Sequence, residues 1–264
     1  MYKILSIDGG GTKGIVPATF LNELHQASGE IIHNHYDTFA GTSTGAIIAA
    51  ALALEFNTDE IVKLYHEGAP RIFKKEKKWW QTGFGLKDEL YEKENLIKEL
   101  ERHFGDAKMG DIKKHLIVTA YDIVSEEPIY FDSKNPNHKY LRIVDCVASS
   151  ASAPTYFEPI KFNTFVAVDG GVAGMNNPSL VAIKSILNLG YNIEDLSVLS
   201  IGTGESSKQL TYNKAKNFGI AQWAKPLVSI MITAPSKVMN DFAKCIIEPT
   251  DYFRLNINLP TKKK

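Results

Sequence analysis

The sequence predicts an α/β fold of three layers, α/β/α, around a mostly parallel central sheet. Three observations carry that expectation. Short apolar runs of strand length alternate with segments of helical period, glycine turns join them, and neither an internal repeat nor a Pro-, Gly- or Ser-rich linker divides the chain. With 264 residues, 44% hydrophobic and 23% charged, the chain has enough apolar material for one large α/β core, and residues 1–264 read as one domain. The final "TKKK" fits a solvated end and a truncation point equally.

In chain order, "KILSI" (3–7) is a short buried strand that runs into "DGGGTKG". A helix follows with Pro17 near its first turn and Ile15, Phe20, Leu21 and Leu24 on one side. "YDTFAG" (36–41) is the second strand and leads through Ser43 into the uniformly apolar helix "AIIAAALAL". From Leu54 to about Gly110 the period is mostly helical, with a break at 71–85. "HLIVTAYDI" (115–123) and "PIYF" (128–131) form a strand pair about a turn at 125–127. Residues 142–159 read as a helix stopped before Pro154, and "FVAVDGG" (165–171) and "LSVLSIGTG" (196–204) as strands with a helix between them. "YFRLNIN" (252–258) is the last strand.

Lys+Arg and Asp+Glu both number 30, so no global basic field gathers nucleic acid. Cys146 and Cys245 lie far apart and read as buried thiols in a reducing compartment. The first eleven residues are too polar for a secretory segment, and the longest apolar run, Ala46–Leu54, falls well short of the roughly 20 residues that span a bilayer. A soluble, cytoplasmic protein is the expectation. No His, Cys, Asp or Glu cluster has metal-ligand spacing, and no cofactor is expected.

Gly9-Gly10-Gly11-Thr12-Lys13-Gly14 has four candidate meanings. It fits the dinucleotide pattern G-x-G-x-x-G, yet the acid near the required spacing, Glu30, does not end a strand. It lacks the G-K-[ST] order of a P-loop. It is similar to the first phosphate loop of actin-like sugar kinases, but those need a β-hairpin next, where "IVPATFLNELHQA" is helical by period. The fourth meaning is an oxyanion hole, because consecutive glycines leave backbone N–H groups uncovered at a helix start. A plain strand–helix turn is the simplest use of the same residues.

Gly41-Thr42-Ser43-Thr44-Gly45 fits G-x-S-x-G between a strand and a helix. A serine at the apex of so sharp a turn needs glycines at 41 and 45 to avoid collisions, and the N–H of Thr44 is the usual partner donor for an oxyanion. An N-cap serine is the alternative. The seven histidines end at His138, so the order Ser, then acid, then His is impossible after any late acid. A carboxylate can act directly instead. Asp169 stands at the end of "FVAVD", followed by Gly170 and Gly171, where a partly dry setting would raise its basicity. The alternative for Asp169 is a turn residue.

Three elements in this order, GGGTKG, GTSTG and DGG, resemble the patatin-like phospholipase family, as do "LSIDGGGTKGIVPATFL", "HEGAPRIF", "SSASAPTYFEP", "VDGGVAGMNNPSL" and "LSIGTG". The likeness runs to about Phe253. It implies a patatin-like fold and an esterase of phospholipid or other lipid acyl chains. In that reading Ser43 is the nucleophile, Asp169 the base, and Gly9, Gly10 and Gly11 the oxyanion loop, supported by Gly14, Gly41, Gly45, Gly170 and Gly171. An actin-like sugar kinase and a catalytically inactive protein of the same fold are the other readings. "IFKKEKKWW" (72–80) suits transient contact with a membrane interface, with its lysines on headgroups, and equally suits a solvated helix end beside core tryptophans.

Overall fold

The computed structural model describes residues 1–74, 91–206, 210–248 and 250–260. In chain order the elements are β1 (Tyr2–Ile7), α1 (Ile15–Ser28), the single turn α2 (Ile32–His35), β2 (Thr38–Thr42), α3 (Thr44–Ala53), α4 (Thr58–Ile72) and α5 (Lys93–Phe104). Then come β3 (His115–Asp122), β4 (Glu127–Asp132), α6 (Ile143–Ala151), β5 (Ile160–Phe162), β6 (Phe165–Asp169) and α7 (Ser179–Asn188). The last part holds β7 (Leu196–Ile201), β8 (Glu205–Ser206), α8 (Tyr212–Ala215), α9 (Ile220–Ile246), β9 (Tyr252–Leu255) and β10 (Asn258–Leu259).

The main sheet runs β5-β6-β3-β2-β1-β7-β9, with β4 paired to β3. The five strands β3, β2, β1, β7 and β9 are mutually parallel. β4 and β6 run antiparallel to β3, and β5 pairs antiparallel with β6; β4 follows β3, and β6 follows β5, through connections too short for a crossover. The sheet is therefore mixed, with a parallel body. Alternate residues of each strand enter opposite cores: Leu5, Phe39, Leu116 and Val118 face the layer of α1, α3, α4, α5 and α6, whereas Ile4, Ala40, Ile117 and Val198 face α7 and α9. Burial on both faces is what makes the strands read as continuous apolar runs.

All ten residues of α3 are buried, which explains a helix with no polar stripe. After Gly14 the chain forms α1 rather than a hairpin, so the loop does not have the setting of a sugar-kinase phosphate loop. The helix expected to stop before Pro154 does so, ending at Ala151, and it buries Cys146. Cys245 in α9, also expected to be buried, is exposed because it does not lie on the packed side of that helix. The sequence reading assigns nothing to α9, whose Pro226 and Pro235 suppress the helical signal of a 27-residue helix.

Across the break in the helical period, α4 and α5 are tied by one buried carboxylate. Arg71 donates to both oxygens of Glu99 at 2.8 and 2.6 Å, and Arg102 adds a third bond at 2.8 Å. These bonds, Arg71 first, hold the Glu99 carboxyl below its ordinary range against the opposing effect of burial. A carboxyl with a lowered folded pKa stabilises above its unfolded value and loses that contribution as pH falls through the folded one. Glu99→Gln is expected to lower stability by about 1–2 kcal/mol at neutral pH, since both arginines are partly screened. Urea unfolding should show the difference from wild type beginning to shrink once pH falls below about 4, the ordinary glutamate range.

Candidate active site

The site is assembled where two strands end against a third. β2 pairs with β3 as far as Thr42 opposite Thr119. β6 runs the other way and pairs with β3 from Asp122 to Ala120, where Asp169 stands opposite Ala120. Because β4 occupies the other edge over this stretch, β2 and β6 share one edge of β3 and meet end to end. Ser43 and Asp169, 126 positions apart, follow from that register. Thr42 reinforces the junction: its hydroxyl donates to the Met175 carbonyl at 2.6 Å and pairs with the Thr119 hydroxyl at 2.7 Å.

Ser43 sits at φ 55 and ψ −122, a conformation that costs a non-glycine residue about 1–3 kcal/mol. The turn closes because Gly41 abuts the backbone of Gly45, and Gly45 abuts the carbonyls of Ile7 and Asp8, with no room for a Cβ at either. The Ser43 N–H donates to Ser150 Oγ of α6 at 2.7 Å. Ser43 is the N-cap residue of α3, yet its side chain makes no cap hydrogen bond. The hydroxyl is thus not used as a helix cap. Thr44 opens α3, so its N–H lacks an intrahelical acceptor, while its hydroxyl pairs with Tyr65 of α4 at 2.6 Å.

Asp169 is buried, and burial pushes its carboxyl up to about 6, against the lowering effect of the Ser43 hydroxyl and the Gly171 N–H. The Gly171 N–H donates to Oδ1 at 2.7 Å, so Asp169 also closes the turn over Gly170–Ala173. Gly170 lies against Thr119, and Gly171 against Asn176. None of the hydrogen bonds or ion pairs made by the histidines among the described residues involves Ser43 or Asp169. His115 pairs instead with Asp132 at 2.7 Å, at the start of β3 and away from the junction.

The glycine loop is held from three directions. The N–H of Gly9 donates to the Asn176 carbonyl at 3.1 Å, and the Gly9 carbonyl accepts from Thr203 Oγ1 at 2.8 Å. The donor of Gly9 is therefore committed, whereas those of Gly10 and Gly11 have no acceptor among the described residues. Gly11 adopts φ +58, and Gly14 is pressed against Thr44 and Tyr65. The preceding residue, Asp8, is buried and receives both Nη atoms of Arg254 from β9, at 2.7 and 2.5 Å; Arg254 also donates to Ser200 at 2.7 Å.

Ser150, Asn176, Thr203 and Arg254 escape the sequence reading as site residues. The first three stand inside the strings "SSASAPTYFEP", "VDGGVAGMNNPSL" and "LSIGTG", but no local spacing gives them a role. Of 72–80, Ile72 is buried at the end of α4 and Phe73 packs on Tyr91 and Phe157, with ring centroids 5.1 and 6.0 Å away. Lys75, Lys77, Lys78, Trp79 and Trp80 lie outside the described residues. Among the described residues no group of three or more His, Cys, Asp or Glu side chains is gathered as a metal site, and no helix is long and apolar enough to cross a membrane.

The class that this fold and site define is an α/β/α protein with a strained serine elbow facing a buried carboxylate. Residues 5–183 match the Patatin-like phospholipase family, and the chain belongs to that family. Relatives from Solanum tuberosum include "Probable inactive patatin-3-Kuras 1", 30% identical over 92% of this chain and 73% of its own length. Patatin-T5 from the same species is 29% identical over 92% of this chain and 71% of its own length. The crystal structure of VipD from Legionella pneumophila shares the fold, with a TM-score of 0.52 at 17% identity, covering all of this chain and 62% of that one.

The Asp8–Arg254 pair predicts strong coupling. Arg254→Met leaves a buried carboxylate unpaired and is expected to lower stability by about 3–5 kcal/mol. Adding Asp8→Asn should recover a large part of that loss. Additive effects of the two changes in denaturant unfolding would contradict the clamp.

Proposed function

We propose that the chain is a phospholipase A-type lipid acyl hydrolase, one domain over residues 1–264, using a Ser43–Asp169 dyad. The observation that carries the reading is a serine held at positive φ, its hydroxyl unused as a cap, beside a buried carboxylate that burial pushes up to about 6. A base must be ionised at working pH and still basic enough to accept a proton: burial raises the basicity of Asp169, and the hydrogen bonds from Ser43 and Gly171 favour its ionised form.

In the first half-reaction the Ser43 hydroxyl attacks the carbonyl carbon of the acyl ester. Its proton passes to Asp169, and the carbonyl π electrons move onto oxygen. The N–H groups of Gly10, Gly11 and Thr44 stabilise that oxyanion, each such donor contributing roughly 10²–10³ in rate. Gly9, with its N–H engaged by Asn176, shapes the pocket by lying against Ser43. The tetrahedral intermediate then expels the alcohol, which takes the proton from Asp169, and leaves an acyl-Ser43 ester. In the second half Asp169 deprotonates a water, the hydroxide adds to the acyl carbon, and collapse releases the fatty acid and returns a proton to Ser43.

Ser43→Ala is expected to abolish hydrolysis of p-nitrophenyl esters with the fold intact, and a fluorophosphonate probe should label the wild type at Ser43. A folded wild-type protein with neither turnover nor labelling would instead be an inactive member of the fold. The pH dependence has a definite sign. Below about 6 Asp169 is protonated and cannot accept, so kcat/KM is expected to rise about tenfold per unit up to that value and level off above it. Asp169→Asn should remove nearly all activity. Each of the seven histidines changed singly to Gln should leave substantial activity, and a histidine variant as damaged as Ser43→Ala would contradict the dyad.

A further inference from the structure

We propose that the outer face of α9, together with α8, docks the protein on an anionic phospholipid surface. The proposal rests on the lipid hydrolase reading above and names the surface from which that site would take its substrate.

α9 has two apolar faces, and the fold covers one. On the inner side Ala243 and Ile247 are buried with α7, and Ser236 Oγ accepts from Asn176 Nδ2 at 3.0 Å. Asn176 is the residue whose carbonyl engages the glycine loop, so the helix lies directly behind the candidate site. On the opposite side Ile220, Leu227, Met231, Val238 and Phe242 recur at spacings of seven, four, seven and four, which places them in one stripe along the helix. Their exposures are 93, 49, 47, 49 and 59%. At the N-terminal end the stripe continues into Phe218 and Trp223, packed edge to face at 5.6 Å, and into Tyr212 of α8, also exposed.

Charge selects the occupant. The chain as a whole has 30 acidic and 30 basic residues, yet none of the 35 residues from Ser206 to Asn240 is acidic, and five are lysines. Lys214 and Lys216 are exposed, and Lys237 pairs with Glu205 at 3.0 Å. Asp241 and Glu248 bound the cationic stretch at its far end. An exposed apolar stripe with interfacial aromatics and exposed lysines at its N-terminal end is the chemistry of a helix that lies in a membrane interface, apolar side among acyl chains and ammonium groups on anionic headgroups.

The test is flotation of the Ser43→Ala protein, which leaves vesicles intact, with phosphatidylcholine vesicles lacking or containing about 30% phosphatidylglycerol. The expected result is binding to the anionic vesicles that weakens at about 0.5 M salt. The double variant Leu227→Glu/Met231→Glu should reduce partitioning by about tenfold or more, and Lys214→Glu/Lys216→Glu should erase the preference for anionic lipid. All four positions are exposed, and thermal unfolding checks each variant's fold. No vesicle binding, binding untouched by both variants, or a stripe-dependent dimer that ignores vesicles would overturn the proposal, the last by assigning the face to a second copy. Turnover of soluble p-nitrophenyl butyrate by the wild type separates the two readings. Turnover without vesicle binding sinks the docking surface alone, and vesicle binding without turnover sinks the catalytic reading alone.

Discussion

The molecule depends on one constraint: two strands of opposite direction terminate on the same edge of β3, at adjacent positions, Thr119 and Ala120. Each strand then has to leave the sheet at once. β2 leaves through a strained serine into α3, and β6 leaves through Asp169 into a glycine turn. Neither exit has room for side chains, which is why Gly41, Gly45 and Gly170 stand at positions where a Cβ would meet backbone. The juxtaposition of hydroxyl and carboxylate follows from sheet register, and a one-residue slip would move every side chain into the opposite core.

The same junction sets the electrostatics. Ser43 and Asp169 are 7 and 4% exposed, too dry for a carboxylate to keep its ordinary affinity for protons. Three connections from outside the junction hold the parts in place: Ser150 on the N–H of Ser43, Asn176 on the N–H of Gly9, and Arg254 on Asp8. They come from α6, from the turn after β6 and from β9, so most layers of the fold contribute to one small volume.

The elbow and the glycine loop were legible in the sequence because their steric demands are local. Glycines at 41 and 45 around a serine, between a strand and an apolar helix, leave few other conformations. The alternation of strands and helices was legible for the same reason. What the sequence hid was long-range. Arg254 meets Asp8 across 246 positions, and no local pattern marks an arginine in a last strand as the partner of an aspartate in a first. The commitment of the Gly9 donor depends on a backbone carbonyl at Asn176, which no side-chain pattern encodes. The antiparallel direction of β6 emerges only from its pairing, and α9 was masked by its two prolines.

In the proposed dyad Asp169 is a base strengthened by burial and moderated by the Ser43 hydroxyl. Carbon-13 NMR titration of the aspartate carboxyl groups, with Asp169→Asn to assign the signal, measures this directly. Asp169 is expected to titrate at about 6 and to move upward in Ser43→Ala, because the hydroxyl that lowers it has gone. A titration near the ordinary aspartate value of about 3.9, unchanged by removal of the Ser43 hydroxyl, would contradict that role.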